Sequence, residues 1–175
     1  EELQILKQLP EPVVTWFRVN KRELPWRDHP DAYRVWVSEI MLQQTRVEAV
    51  KSYYHRFLEA LPDVKALAEA EEDQLLKLWE GLGYYNRVRN MQKAATQIMV
   101  DYGGEFPQTY EEILNLTGIG SYTAGAISSF AFGLAKPAVD GNVLRVISRI
   151  TGSNRDIMKQ SVRKRMETLL EQVIP

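Results

Sequence analysis

Apolar residues recur three and four positions apart along almost the whole chain, and no segment sustains the every-second-residue alternation of a half-buried strand. That pattern restricts the chain to an all-α fold in which each helix buries one stripe. Proline and glycine supply the punctuation. An amphipathic stretch runs to Leu9 and is broken at Pro10 and Pro12; a second spans Val13 to Val19, and a polar connection from Asn20 to Pro30 follows. Asp31 is placed to cap a helix reaching Gln44. Thr45 with Glu48 has the spacing of a capping box for the next helix, which ends near Leu61-Pro62. Short helices are expected over Asp63–Ala70 and Glu72–Glu80, then a glycine-broken turn at Gly81–Tyr85 and a longer helix from Asn86 to Tyr102. Thr109 and Glu112 repeat the capping-box spacing before a short helix that ends in Leu116-Thr117-Gly118-Ile119-Gly120. Helix resumes from Ser121 to Phe132, so two helices flank a glycine hairpin. Lys136 to Gly141 reads as extended, Asn142 to Ile150 as helix, and a basic helix fills Lys159 to Val173.

A chain of 175 residues can bury about 70% of its unfolded surface, enough for one domain or two lobes sharing a core. No apolar run approaches the roughly 20 residues that a membrane span needs, and no signal-peptide pattern opens the sequence, so a cytoplasmic protein is expected. Cysteine is absent, which excludes disulfides, a thiolate-held cluster and a thiol nucleophile among these residues. The net charge of −1 argues against a protein that coats nucleic acid non-specifically. Charge is segregated, however. Between Trp16 and Arg56 eight basic residues stand against five acids, while from Glu59 to Glu80 seven acids face two lysines. The first stretch could meet phosphate; both are equally compatible with ordinary solvated helix faces.

Glu39 carries the most chemical information. Its helical neighbours are Val35, Trp36 and Leu42, with Gln43 at plus four, so it lies on an apolar stripe. A carboxylate there is either ion-paired or held protonated, and a protonated carboxyl near neutral pH is what a general acid requires. Asp140 stands where an extended segment turns into helix, and its ordinary explanation is an N-cap. Considered with Glu39 it has a second meaning, since an acid paired with a second carboxylate is the usual equipment for breaking a glycosidic bond. The glycines of the hairpin suit either close approach of a phosphate to backbone amides or a plain turn. Gln43-Gln44 and Tyr84-Tyr85, near helix ends, suit a wedge in a base stack or simple core packing. His29 and His55 have no metal-ligand spacing around them and are assigned to the surface.

Val37-Ser38-Glu39-Ile40-Met41-Leu42-Gln43-Gln44-Thr45, Gly81-Leu82-Gly83-Tyr84-Tyr85, the hairpin Leu116 to Gly120 and Val139-Asp140-Gly141-Asn142-Val143 together resemble the helix-hairpin-helix DNA glycosylase superfamily. The Leu24-Pro25-Trp26-Arg27 string and the run Gly81 to Asn90 narrow the resemblance to its MutY family of adenine glycosylases, over about Trp16 to Pro175. The resemblance implies a six-helix barrel over residues 25–133 beside a partial second lobe made from residues 1–24 and 134–175. It implies that Glu39 protonates adenine and Asp140 stabilises the charge developing on the sugar, with Tyr122 and Asn142 positioning the chemistry. Arg22, Leu24, Trp26, Arg27 and Leu42 would border the adenine pocket. Gln43, Gln44, Thr45, Tyr84, Gly118, Gly120, Tyr122 and Thr123 would contact DNA. Backbone carbonyls of Leu114, Leu116 and Ile119 would hold a monovalent cation.

The implied partner is double-stranded DNA containing adenine opposite 8-oxoguanine or guanine, met by a monomer with no membrane association. The setting is bacterial-type, on chromosomal DNA in the cytoplasm. Tyr122 occupies the position where bifunctional relatives carry a Schiff-base lysine, so base removal without strand cleavage is expected. Thr117 departs from the hairpin proline common in the superfamily, and members usually continue with four cysteines around a [4Fe-4S] cluster and a guanine-reading domain. The chain is therefore expected to be a catalytic-core fragment with no cofactor of its own. The alternatives are a related glycosylase of other base specificity or a non-catalytic helix-hairpin-helix module. The latter is disfavoured because DNA binding alone needs neither carboxylate.

Overall fold

Twelve helices and no strand make up the computed structural model, which describes residues 1–175. In chain order they are α1 (Glu2–Leu6), α2 (Pro10–Asn20), α3 (Pro25–Asp28), α4 (Ala32–Leu42), α5 (Val47–Ala60) and α6 (Val64–Glu69). The rest are α7 (Glu72–Trp79), α8 (Asn86–Asp101), α9 (Tyr110–Leu114), α10 (Ser121–Phe132), α11 (Gly141–Thr151) and α12 (Gln160–Glu171). No helix is long and apolar enough to cross a membrane.

The apolar stripes of α3 to α10 close on one core of 28 buried residues, from Leu24 to Ile127. Its centre is aromatic. Trp36 meets Phe106 edge-on at 5.6 Å, and Phe57 meets Trp79 at 6.0 Å. Helix α4 packs against both α5 and α10, which makes it the central rod of this lobe. A second cluster holds only Val139, Leu144 and Met166, where α11 and α12 meet the end of the extended segment. Helix α1 packs on α11 and α12, and Glu2 there forms ion pairs with Arg165 at 2.6 Å and Arg155 at 3.7 Å. Thus both chain ends meet. Helix α2 has no buried residue, and its Trp16 remains 63% exposed.

Three local expectations are corrected. Pro10 and Pro12 open α2 rather than breaking the chain, because a first-turn residue has no intrahelical acceptor for its N–H and proline loses nothing by lacking one. The supposed polar connection contains α3, whose Trp26 is buried edge-on against Tyr54 at 5.5 Å; that burial offsets the cost of ordering a single turn. The capping box at Thr45 and Glu48 does not form. Gln44 turns left-handed at φ 59°, so Arg46 becomes the N-cap of α5 and Thr45 falls one residue ahead of it. Glu48 pairs instead with Lys51 at 2.8 Å. Two other expected caps do form: Asp31 accepts from the Arg34 amide at 3.0 Å, and Thr109 accepts from the Glu112 amide at 3.3 Å.

Candidate active site

Helix α4 delivers Glu39 to the edge of the main core, where the side chain is half-buried. Burial is the largest effect on its carboxyl and pushes the pKa above the usual carboxylate range; a hydrogen bond from the Tyr122 hydroxyl opposes the shift, and the charge of Asp140 adds to it. Tyr122, in the first turn of α10, is pushed upward as well, by burial first and then by the charges of Glu39 and Asp140. Three side chains far apart in sequence are thereby brought within electrostatic reach of one another.

Asp140 reaches the group because of a close backbone crossing. A Cβ at Gly125 would lie 2.0 Å from the Pro137 carbonyl oxygen, so only glycine lets the extended segment 133–140 lie directly on α10. Arg163 of α12 donates to the Val139 carbonyl and anchors the segment from its other lobe. Asp140 then caps α11, with Oδ1 accepting from the Val143 amide at 2.8 Å and Oδ2 facing the Asn142 amide group at 3.4 Å. Capping leaves Oδ2 with only the long contact to Asn142.

The hairpin lies between α9 and α10. Gly118 has φ +79°, and a Cβ there would stand 2.8 Å from Cβ of Asn90 on α8, so the turn requires glycine on two counts. Gln97 holds it from the same helix by accepting from the Thr117 amide at 2.8 Å. Gly120 is the N-cap of α10 and offers no side-chain cap, which leaves the first-turn amides of Ser121 and Tyr122 facing outward along the helix dipole. Thr123 is only 3% exposed, so its side chain cannot reach a ligand and only its backbone amide belongs with this group. Leu114 ends α9, while Leu116 and Ile119 are buried within the hairpin.

The residues expected around an adenine pocket separate into two sets. Arg22, Leu24 and Arg27 line one open concavity of about 710 Å³ with Lys21, Lys51 and His55; neither Trp26, Leu42 nor Glu39 lines it. Leu24 and Trp26 are 5% and 8% exposed and belong mainly to the core. Arg27 donates to the Arg22 carbonyl at 2.8 Å and stacks over Phe17. His29 and His55 are exposed, and no cluster of acidic or histidine ligands exists that could hold a metal. With no cysteine, nothing in the chain fits an iron–sulfur cluster.

A second concavity, of about 520 Å³, is lined by Gln43, Gln44, Tyr84, Tyr85, Asn86, Arg87 and Arg89. Gln44 and Tyr84 are the two non-glycine residues with positive φ, at 59° and 47°, and each such conformation costs about 1–2 kcal/mol. Thr45 is half-buried behind them, its hydroxyl at 3.5 Å from the Gln43 carbonyl. Arg87 joins the two loops, and sequence reasoning assigned it no role. The available signal was its place in the first turn of α8, where the helix dipole disfavours a cation.

Residues 37–172 match the family described as HhH-GPD superfamily base excision DNA repair protein. The adenine DNA glycosylase of Buchnera aphidicola subsp. Acyrthosiphon pisum is 39% identical over 164 residues, covering 93% of this chain and 47% of that protein. The human adenine DNA glycosylase is 42% identical over 171 residues, covering 93% of this chain and 31% of that one. The chain therefore spans less than half the length of these relatives. Among solved structures, a thermostable thymine-DNA glycosylase superposes with a TM-score of 0.86 at 27% identity, over 98% of this chain and 79% of that one. A trapped endonuclease III–DNA covalent intermediate superposes with a TM-score of 0.80 at 26% identity, over 99% and 78%. The chain belongs to the HhH-GPD superfamily of base excision DNA repair proteins, and within it to the MutY family.

Proposed function

We propose that the protein is a monofunctional DNA glycosylase that hydrolyses the N-glycosidic bond of adenine mispaired with 8-oxoguanine or guanine. The observation that carries this reading is the half-buried Glu39, whose carboxyl is pushed above the usual carboxylate range by burial, beside Tyr122 and within electrostatic reach of Asp140. Glu39 donates its proton to a ring nitrogen of an extruded adenine. The bond from C1′ to the base then breaks with its electron pair leaving on the adenine, and Asp140 stabilises the positive charge that develops on the sugar. Water adds to C1′ and gives up a proton, which restores the Glu39 acid. Asn142, beside Asp140, orients that carboxylate.

Duplex binding follows from the hairpin and the wedge loops. The amides at Gly118, Gly120, Tyr122 and Thr123 take a phosphate, Gln44 and Tyr84 enter the opened stack while Gln43 and Thr45 contact the DNA beside them, and Arg22, Leu24, Trp26, Arg27 and Leu42 border the base. Backbone carbonyls of Leu114, Leu116 and Ile119 would hold a monovalent cation at the hairpin. The protein works as a monomer on chromosomal DNA in the cytoplasm. The Tyr122 phenol, in place of an amine, cannot form an imine to the sugar, so strong lyase activity is not expected.

The test is incubation with a duplex carrying adenine opposite 8-oxoguanine. Free adenine should appear, with the strand cut only after alkali and no adduct trapped by borohydride. Release of a different base, or a stoichiometric trapped adduct, would overturn the reading.

A further inference from the structure

Two left-handed, non-glycine residues line one concavity, yet they come from loops on opposite sides of the sequence. Strained conformations persist where their surroundings over-determine them, so something common to both loops must hold them. Arg87 is that common element. Its Nη1 donates to the Ile40 and Gln43 carbonyls, both at 2.7 Å, and its Nη2 donates to the Leu82 and Gly83 carbonyls at 3.2 and 3.3 Å. The Gln43 carbonyl belongs to the same planar peptide unit as the Gln44 amide, and the Gly83 carbonyl to that of the Tyr84 amide. The angle φ is the rotation of a residue relative to that preceding plane. One rigid guanidinium thus grips the reference plane of both strained torsions, while its carbon lies 5.8 Å from the Tyr84 ring and 5.3 Å from the Trp79 ring.

We propose that Arg87 is the positioning residue that couples Gln44 and Tyr84 into a single two-pronged wedge, so that both enter the duplex at a fixed separation. A lysine could keep the charge but not the planar fork, because its ammonium is a single point and cannot serve two loops in one plane. The proposal rests on the reading that these loops enter DNA, and the experiment separates the two. Crystal structures of the wild-type chain and of Arg87→Lys report both φ angles without DNA. In parallel, a duplex holding a non-cleavable abasic analogue opposite 8-oxoguanine, with 2-aminopurine at the neighbouring step, reports affinity by titration and unstacking by fluorescence.

With the fold intact by circular dichroism, Arg87→Lys should release Gln44 and Tyr84 from the left-handed region and weaken binding about tenfold or more, as expected for charged hydrogen bonds lost. It should also make the Gln44→Ala and Tyr84→Ala effects small, whereas in wild type each lowers the fluorescence rise markedly. A residue that merely stabilised the fold would lower the melting temperature and leave those truncation effects unchanged. Retention of both left-handed torsions in Arg87→Lys would overturn the proposal. Tyr84→Ala provides a variant that leaves the fork in place: position 84 should stay left-handed if the carbonyl grip holds it, and its release would equally overturn the proposal. No fluorescence rise with wild type would sink the DNA-wedge reading, and the torsions would still decide the clamp.

Discussion

The two carboxylates of the site stand on very unequal ground. Glu39 projects from α4, a helix enclosed by a 28-residue core, whereas Asp140 begins α11, whose own cluster contains three buried residues. A large core holds its members in one arrangement, because displacing any of them opens a void or forces a clash. A cluster of three cannot do that alone. The smaller lobe relies on polar ties: the Arg163 bond to the Val139 carbonyl, the ion pairs of Glu2, and the crossing of the 133–140 segment over Gly125. The proposed acid is therefore built into rigid scaffold, and the proposed charge-stabilising partner is carried on an element that can be shifted with little loss of the whole fold. Regions with few buried contacts open at low free energy, so exchange protection should be high in α4 and α8 and lower in α11.

The largest expected effect tests the two acids directly. Glu39→Gln keeps the volume and removes the proton, and base release should fall by about a hundredfold or more, measured as single-turnover adenine release. The same variant should be more stable than wild type near neutral pH. The sign follows from linkage. The native-state pKa of Glu39 is raised, so native protein binds more protons than unfolded chain, and this contribution is complete below the ordinary carboxylate range and lost as pH rises through the raised value. Melting curves across that interval should show the advantage of Glu39→Gln growing with pH. Asp140→Asn contrasts with it: asparagine caps a helix about as well as aspartate, so stability should change by only about 0.5 kcal/mol or less while release falls severely. Loss of stability with retained activity would make Asp140 a cap alone.

Next in size is Gly125→Ala. The added carbon would meet the Pro137 oxygen at 2.0 Å, so the segment must lift and carry Asp140 with it. A displacement near 1 Å can cost about a hundredfold in rate, and affinity for duplex should change far less. An unaltered rate would mean that the segment relaxes without moving the carboxylate.

Leu144→Ala empties the smaller cluster and should cost about 2–4 kcal/mol. If the two lobes differ as described, hydrogen exchange should rise in α11 and α12 well before α4 is affected. Uniform loss of protection would show one cooperative unit. Smallest of all is Glu2→Gln, which breaks partly exposed ion pairs at the rim and should shift stability by about 1 kcal/mol or less, less still in high salt.

Much of this was legible in the residues themselves. Helical periodicity, glycine at the hairpin and the aspartate before Gly141 depend on interactions within a few residues, and such local preferences are written in order along the chain. So is the chemical character of Glu39, whose apolar neighbours at helical spacing announce a carboxyl in a poor solvent for charge. Local rules failed where a distant partner intervened. The capping box at Thr45 gave way because Gln44 is held left-handed from across the molecule, and α3 formed because Trp26 found Tyr54. The meeting of Glu39, Tyr122 and Asp140, the need for glycine at position 125, and the four-carbonyl grip of Arg87 arise only once helices pack. Sequence determined which groups were available and which segments would be helical, since both are short-range properties. Tertiary structure decided which of those groups share a site, because that choice depends on packing between segments that no local pattern encodes.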